Sequence, residues 1–286
     1  PAAFTPRNVE IARDTWGVPH IFGDTDADVA YGVAYAHAED DFATLQEVLA
    51  MTRGRAGAMM GADGAKVDYA AQLLDIRTTV DRDWGTLPAD VRLLFDAYAA
   101  GLNRYADRHP GEVRLARLFP VTGQDVVAGF VLRSPFFFGL DATLGALTEN
   151  KPRGREGGPP LTPGVGAPKG PATPVGSDAA DNGSNAFAVA PARSADGATR
   201  LVSNSHQPWE GGVAWYELVV HSKQGWDFAG ANFPGSPYPF LGHNKYLGWT
   251  NTVNRPDLID IYRLTLDADG TRYRFGGQWL PLESKR

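Results

Sequence analysis

Apolar positions recur every three or four residues between Pro88 and Arg108, so Val91, Leu94, Phe95, Tyr98, Leu102 and Tyr105 fall on one stripe. Pro88 suits the first turn of such a helix and His109-Pro110 stops it. The spacing therefore predicts a helix over 88–108 whose stripe is core. A second helical pattern opens at Thr25 or Asp26, either of which can cap, and continues through Val29, Val33 and Ala36. A third starts after Thr122 and runs through Val126, Val127 and Phe130 toward Arg133. It ends in Pro135-Phe136-Phe137-Phe138-Gly139. Three adjacent phenylalanines cannot all face one core, so this run reads either as an elbow between helices or as an aromatic wall for an apolar ligand group. Ahead of the helices, Val9-Glu10-Ile11 and Val18-Pro19-His20-Ile21-Phe22 are two short extended segments. Pro19 marks an edge or a strand start, and His20 reads as a surface or packing residue. The cluster His37-Ala38-Glu39-Asp40-Asp41 reads as a solvated helix face with a His37–Asp41 contact. Consecutive residues on a helix diverge, so these side chains do not converge on a metal ion.

Beyond residue 184 the pattern changes to strands. Segments around 186–190, 200–203, 213–221, 226–231, 246–253 and 259–266 carry β-branched and aromatic residues between turn signals. Asp267-Ala268-Asp269-Gly270 reads as the turn of a hairpin whose return strand holds Tyr273 and Phe275. Helices followed by antiparallel strands point to an α+β fold with layered packing. No helical run follows Gln278-Trp279-Leu280 to cover that sheet, so the chain reads as part of a larger protein. The stretch 149–183 belongs to neither half. Fifteen of its 35 residues are Gly or Pro and its larger apolar residues are Leu161, Val165 and Val175, too few to offset chain entropy. It is expected to be mobile and open to cleavage, as a linker or as a spacer.

A formal net charge of -6 without a basic cluster argues against nucleic acid and anionic membrane as partners. No apolar run approaches the ~18 residues of a membrane span. No secretory signal is read ahead of Pro1, an expectation that a mature form which has lost its signal would equally meet. The absence of cysteine excludes disulfides and thiol catalysis, and the six scattered histidines form no ligand pair at helical spacing, which argues against a metallohydrolase.

The candidate chemistry lies on the border between spacer and strands, in Asn182-Gly183-Ser184-Asn185-Ala186-Phe187-Ala188-Val189-Ala190-Pro191. Cleavage between Gly183 and Ser184 would give Ser184 a free α-amine beside its own hydroxyl, placing nucleophile and base in one residue. An α-amine titrates near ~7.7–8, close to the value a general base needs, whereas a serine hydroxyl alone is a poor nucleophile. Taken alone, Gly-Ser-Asn also reads as an ordinary turn entering a strand.

Four motifs in register change that balance. Gly183-Ser184-Asn185-Ala186-Phe187-Ala188-Val189, Asn204-Ser205-His206-Gln207-Pro208-Trp209, Gly242-His243-Asn244 and Trp249-Thr250-Asn251-Thr252-Val253-Asn254 resemble the penicillin acylase family of N-terminal nucleophile hydrolases. Arg13-Asp14-Thr15-Trp16-Gly17-Val18-Pro19-His20-Ile21 is similar to the start of that family's small subunit. The resemblance implies a four-layer αββα fold, of which this chain holds part, made as a precursor that cuts itself and discards a spacer. Residues 1–148 would be the small subunit, 149–183 the spacer and 184–286 the start of the large subunit, the two subunits pairing as a heterodimer.

The roles it implies follow residue by residue. Ser184 is the nucleophile, and His206, 22 positions on, matches the histidine that orients the terminal amine in the acylhomoserine-lactone and cephalosporin acylase branch. Val253 matches the residue whose backbone N–H donates to the oxyanion, and the second donor lies beyond Arg286. Trp209 and Tyr216 match aromatic positions lining the acyl site, and Phe137 and Phe138 resemble its gate. Gln207 stands where penicillin G acylase-like members carry phenylalanine, and Phe240 where glutaryl-cephalosporin acylases carry arginine. A carboxylate in the acyl group would then be buried unpaired, so a neutral acyl chain is expected. Asp257, Ile259 and Asp260 resemble a structural calcium segment, with no cofactor implied for the reaction itself. The expected activity is deacylation of an N-acylated small molecule such as an acylhomoserine lactone or a β-lactam, in a periplasmic or secreted protein. The competing expectation is an unprocessed, non-catalytic precursor that keeps the scaffold.

Overall fold

The computed structural model describes residues 4–138, 140, 184–252, 260 and 262–284. Two compact units divide it, Pro1–Val253 and Asn254–Arg286. The spacer expected over 149–183 lies outside the described residues.

In chain order the first unit holds β1 (Val9–Arg13), β2 (Pro19–Gly23), α1 (Asp26–Thr52), α2 (Ala56–Leu73), α3 (Ile76–Asp83), α4 (Ala89–Arg108) and α5 (Gly123–Arg133). After the undescribed stretch come β3 (Ser184–Val189), β4 (Arg200–Ser205), β5 (Tyr216–Ser222), β6 (Asp227–Asn232), β7 (Leu241–His243) and β8 (Gly248–Trp249). The helix starts follow their side chains. Thr25 and Asp28 close a capping box on α1, and Thr122 and Asp125 do so on α5. Pro88 precedes the first residue of α4, whose Phe95, Tyr98, Leu102 and Tyr105 are buried as their spacing requires.

Six strands form one sheet in the order β1-β2-β5-β6-β7-β8, while β3 and β4 pair as a separate ribbon. One pairing departs from the expected antiparallel arrangement. β2 runs parallel to β5, with His20 opposite Val219 and Gly23 opposite Ser222. The β1–β2 hairpin of the N-terminal segment thereby extends the sheet built by the segment after Ser184.

The core lies between this sheet and the helices. Ile21, Leu218 and Val220 meet Val29, Val33, Leu45, Tyr98 and Leu102, all fully buried. Each such aliphatic side chain contributes roughly 1.5–3 kcal/mol relative to exposure. The crossing of α4 over α1 is close because residue 101 is glycine: a Cβ there would lie 2.3 Å from the Tyr31 carbonyl oxygen. Of the four layers the resemblance implies, the described residues build a helical layer and the sheet beneath it. The class is α+β.

One stretch without an expectation is helical, and one expectation needs correction. α2 and α3 occupy 56–83, which lacks an apolar stripe; Ala56, Ile76 and Val80 pack instead with Val48, Met51 and Leu132 as a second cluster. His37 is not on a solvated face. It is 2% exposed, because α1 turns this face onto the sheet, and its ring stacks on Tyr216 at 3.8 Å between centroids. The helix is kinked at Asp41 (φ -150°), whose Oδ1 accepts from the Thr44 N–H at 3.1 Å as a cap would.

The second unit holds β9 (Arg272–Phe275) and β10 (Gln278–Pro281), joined by Gly276-Gly277, both at positive φ as a two-residue hairpin turn needs. The expected turn at Asp267–Gly270 is present, closed by the Gly270 N–H donating to the Asp267 carbonyl at 3.1 Å. Leu266 and Tyr273 form a bridge there, the one pairing of the expected 259–266 strand among the described residues.

Candidate active site

Strand pairing sets the first residue of β3 against the last residue of β4. β3 begins at Ser184, and its register with β4 sets Ser184 opposite Ser205; His206 follows directly after the end of β4. Asn185 Nδ2 lies 3.3 Å from His206 Nε2. Ser184 and His206 are both half-buried, whereas Phe187 and Val202, an opposed pair further along the ribbon, are exposed.

The segment leading to Val253 abuts the same strand. Ser203 Oγ donates to Thr250 Oγ1 at 2.6 Å, and Ser205 Oγ donates to the Asn251 carbonyl at 2.7 Å. Val253, the expected oxyanion donor, lies outside the described residues, as do Gly183, Asp257, Ile259 and the side chain of Phe138. Of the calcium set only Asp260 is described, and it is exposed. Among the described residues no three His, Asp or Glu groups converge to hold a metal.

An aromatic cluster adjoins the ribbon. Trp215 stacks on Phe233 at 4.1 Å and 14°, Phe233 meets Phe240 at 5.3 Å, and Phe137 stacks on Phe233 at 5.8 Å. Phe130 of α5 reaches Phe240 at 6.3 Å. Trp215 Nε1 donates to the Ser205 carbonyl at 3.2 Å, tying the cluster to the residue opposite Ser184. The Phe240 carbonyl accepts from Trp249 Nε1 at 2.8 Å and Asn251 Nδ2 at 3.2 Å. The phenylalanine run divides between two clusters: Phe136 packs into the second core cluster and Phe137 into this one.

The remaining expected pocket residues are placed differently. Trp209 is 99% exposed and does not join the cluster, and Gln207 is half-buried beside His206. Tyr216 faces the helices, where its hydroxyl donates to Asp40 Oδ2 at 2.6 Å; Asp40 in turn pairs with Arg13 at 2.8 Å. Burial, reinforced by Asp40, pushes the Tyr216 hydroxyl well up, so it remains a donor throughout the physiological range. Trp215 and Phe233, absent from the expected set, stand in the middle of the cluster. Trp215-Tyr216 at a strand entry was the available signal, since successive residues there face opposite sides.

A family model described as penicillin amidase matches residues 8–286. The chain is similar to an acyl-homoserine lactone acylase of Pseudomonas fluorescens, 31% identical over 300 residues that take in 99% of this chain and 38% of that protein. It is also similar to the penicillin acylase 2 proenzyme of a Pseudomonas species, 29% identical over 314 residues, 97% of this chain and 40% of the other. Among solved structures it is similar to a thermostable penicillin G acylase of Alcaligenes faecalis, with 27% identity over 49% of this chain and 80% of that one and a TM-score of 0.40. The chain therefore spans less than half the length of the curated relatives it matches. A family match running over nearly all of its residues decides the kinship: the chain belongs to the penicillin amidase family.

Proposed function

We propose that this chain carries the nucleophilic part of an acylase that removes a neutral acyl group from an N-acylated small molecule, with acylhomoserine lactones and β-lactams as the first substrates to try. One observation carries the reading: the β3–β4 register sets Ser184 opposite Ser205, the residue before His206, and the Ser205 carbonyl accepts from Trp215 of an aromatic cluster. Scission of the Gly183–Ser184 bond frees the Ser184 amine. That amine, through one water, takes the hydroxyl proton as Oγ attacks the amide carbonyl, while His206 orients it. The Val253 N–H donates to the oxyanion, the amine product leaves with the proton, and water hydrolyses the ester. Residues 1–148 and 184–286 would then act as paired subunits. The cluster of Trp215, Phe233, Phe240 and Phe137 presents uncharged rings, which suit an aliphatic or aromatic acyl chain. No helix among the described residues is long and apolar enough to cross a membrane, and a periplasmic or secreted location accompanies the proposal. A structural calcium on Asp257, Asp260 and the Ile259 carbonyl, with no part in the reaction itself, belongs to the same reading.

The test is Ser184→Ala in the whole gene product. Intact mass should show a new terminus at Ser184 in the unsubstituted protein and none in the variant, and deacylation should vanish with it. Turnover by the variant sinks the mechanism. An unsubstituted protein that stays in one piece and binds acyl ligands without cleaving them would favour a non-catalytic scaffold instead.

A further inference from the structure

Behind the aromatic cluster lie two buried polar side chains that the chemistry above does not use. Arg133, the last residue of α5, is 6% exposed. Its Nε donates to the Gly129 carbonyl at 3.0 Å and its Nη1 donates to the Gly212 carbonyl, and among the described residues it has no carboxylate partner. Tyr98 of α4 is fully buried, and its hydroxyl accepts the Gly235 N–H at 3.2 Å. A cation in the interior satisfied only by carbonyl dipoles is costly, and an apolar side chain of similar volume would avoid that cost. What the guanidinium provides is a rigid fork of donors aimed at fixed backbone atoms.

Those backbone atoms belong to the two loops that carry the centre of the cluster. Gly212 lies three residues before Trp215, and Gly235 lies two after Phe233. Both loops are pressed onto α1 at one residue: a Cβ at Gly212 would sit 3.2 Å from Val48 Cγ2, and one at Gly235, where φ is +81°, 3.3 Å from Val48 Cγ1. We infer that Arg133 and Tyr98 are positioning residues that set the acyl pocket from behind, fixing Trp215 and Phe233 through the Gly212 and Gly235 backbones. This rests on reading the cluster as the acyl pocket. Both side chains precede the proposed scission point and both loops follow it, so the clamp holds the pocket together across the break. Burial lowers the Arg133 guanidinium to about 10, which leaves it cationic at neutral pH and able to donate.

The experiment compares unsubstituted protein with Arg133→Met, Arg133→Lys and Tyr98→Phe, using N-butanoyl and N-decanoyl p-nitroanilide. A displaced pocket wall should lower kcat/KM for the decanoyl substrate about tenfold to a hundredfold in Arg133→Met while butanoyl kcat stays within about twofold. Arg133→Lys, which keeps one donor toward Gly212, should recover part of the chain-length preference. Amide hydrogen exchange supplies a readout without turnover: residues 211–216 should lose protection in Arg133→Met and residues 233–237 in Tyr98→Phe, with α1 unchanged in both. Equal losses for both acyl chains, or unaltered exchange in both loops, overturn the inference. If the unsubstituted protein cleaves neither anilide, the acylase reading fails separately, and exchange in the two loops alone decides the pinning.

Discussion

Acid should destabilise this protein through His37 before most of its carboxylates titrate. Burial pulls the imidazole down to about 4, against the pull of Asp41 and Asp40, and its Nδ1 is buried without a hydrogen-bond partner among the described residues. An unfolded histidine titrates near ~6.5. Above that value the ring is neutral in both states and contributes no pH dependence. As pH falls from there to about 4, the unfolded chain binds a proton the folded one excludes, so stability drains away over that window. The whole gap is worth roughly 3 kcal/mol. The surroundings offer no relief: Tyr216 covers the ring face as a neutral donor to Asp40, and Arg13 already engages Asp40. His37→Phe keeps a stacked ring and removes the titrating group. Urea unfolding of both proteins at several values between about pH 7 and about pH 4.5 should show the variant gaining on the parent by roughly 2–3 kcal/mol. Any repacking penalty is independent of pH, and shared carboxylates cancel in the difference. A gap that stays constant across the series refutes the reasoning.

Asp125→Asn should lower stability by about 3–5 kcal/mol in chemical denaturation, because it leaves Arg53 and Arg77, each 2.7 Å from the buried carboxylate, with one charge partner fewer. Burial works against that carboxylate most, but the hydrogen bonds from Arg53 and the Thr122 amide outweigh it and hold its pKa below the usual range. Its contribution should thus be complete above ~3.9 and disappear as pH falls through that value and the lower folded one; a variant whose deficit survives in strong acid contradicts this. Gly101→Ala places a Cβ 2.3 Å from the Tyr31 carbonyl and should cost about 1–3 kcal/mol or more, read as a lower melting temperature. An unchanged melting temperature would mean that α1 and α4 separate freely.

The parts of the fold legible in the sequence were those where period and cap coincide. The stripe of α4 and the capping residues of α1 and α5 are local signals, and the structure keeps them. α2 and α3 left no such trace, since alanine and glycine bury by close approach without making an apolar stripe. His37 was misread for a related reason: neighbouring acids suggested solvent, yet on a helix adjacent residues face different ways, and His37 faces the sheet. Near Ser184, the start of a strand at that residue was legible from the motif, while the stacking of Trp215 on Phe233 was not. Their meeting depends on strand register and on two loops held by the helical layer, and neither is written in local sequence.

The parallel seam between β2 and β5 has a consequence for biogenesis. His20 must wait for Val219, nearly two hundred residues of synthesis later, before its strand is hydrogen-bonded on both edges. During that interval an N-terminal hairpin with an open flank is the species most prone to stick to other nascent chains. Recovery from denaturant should therefore fall as protein concentration rises, well before any step at the serine becomes limiting.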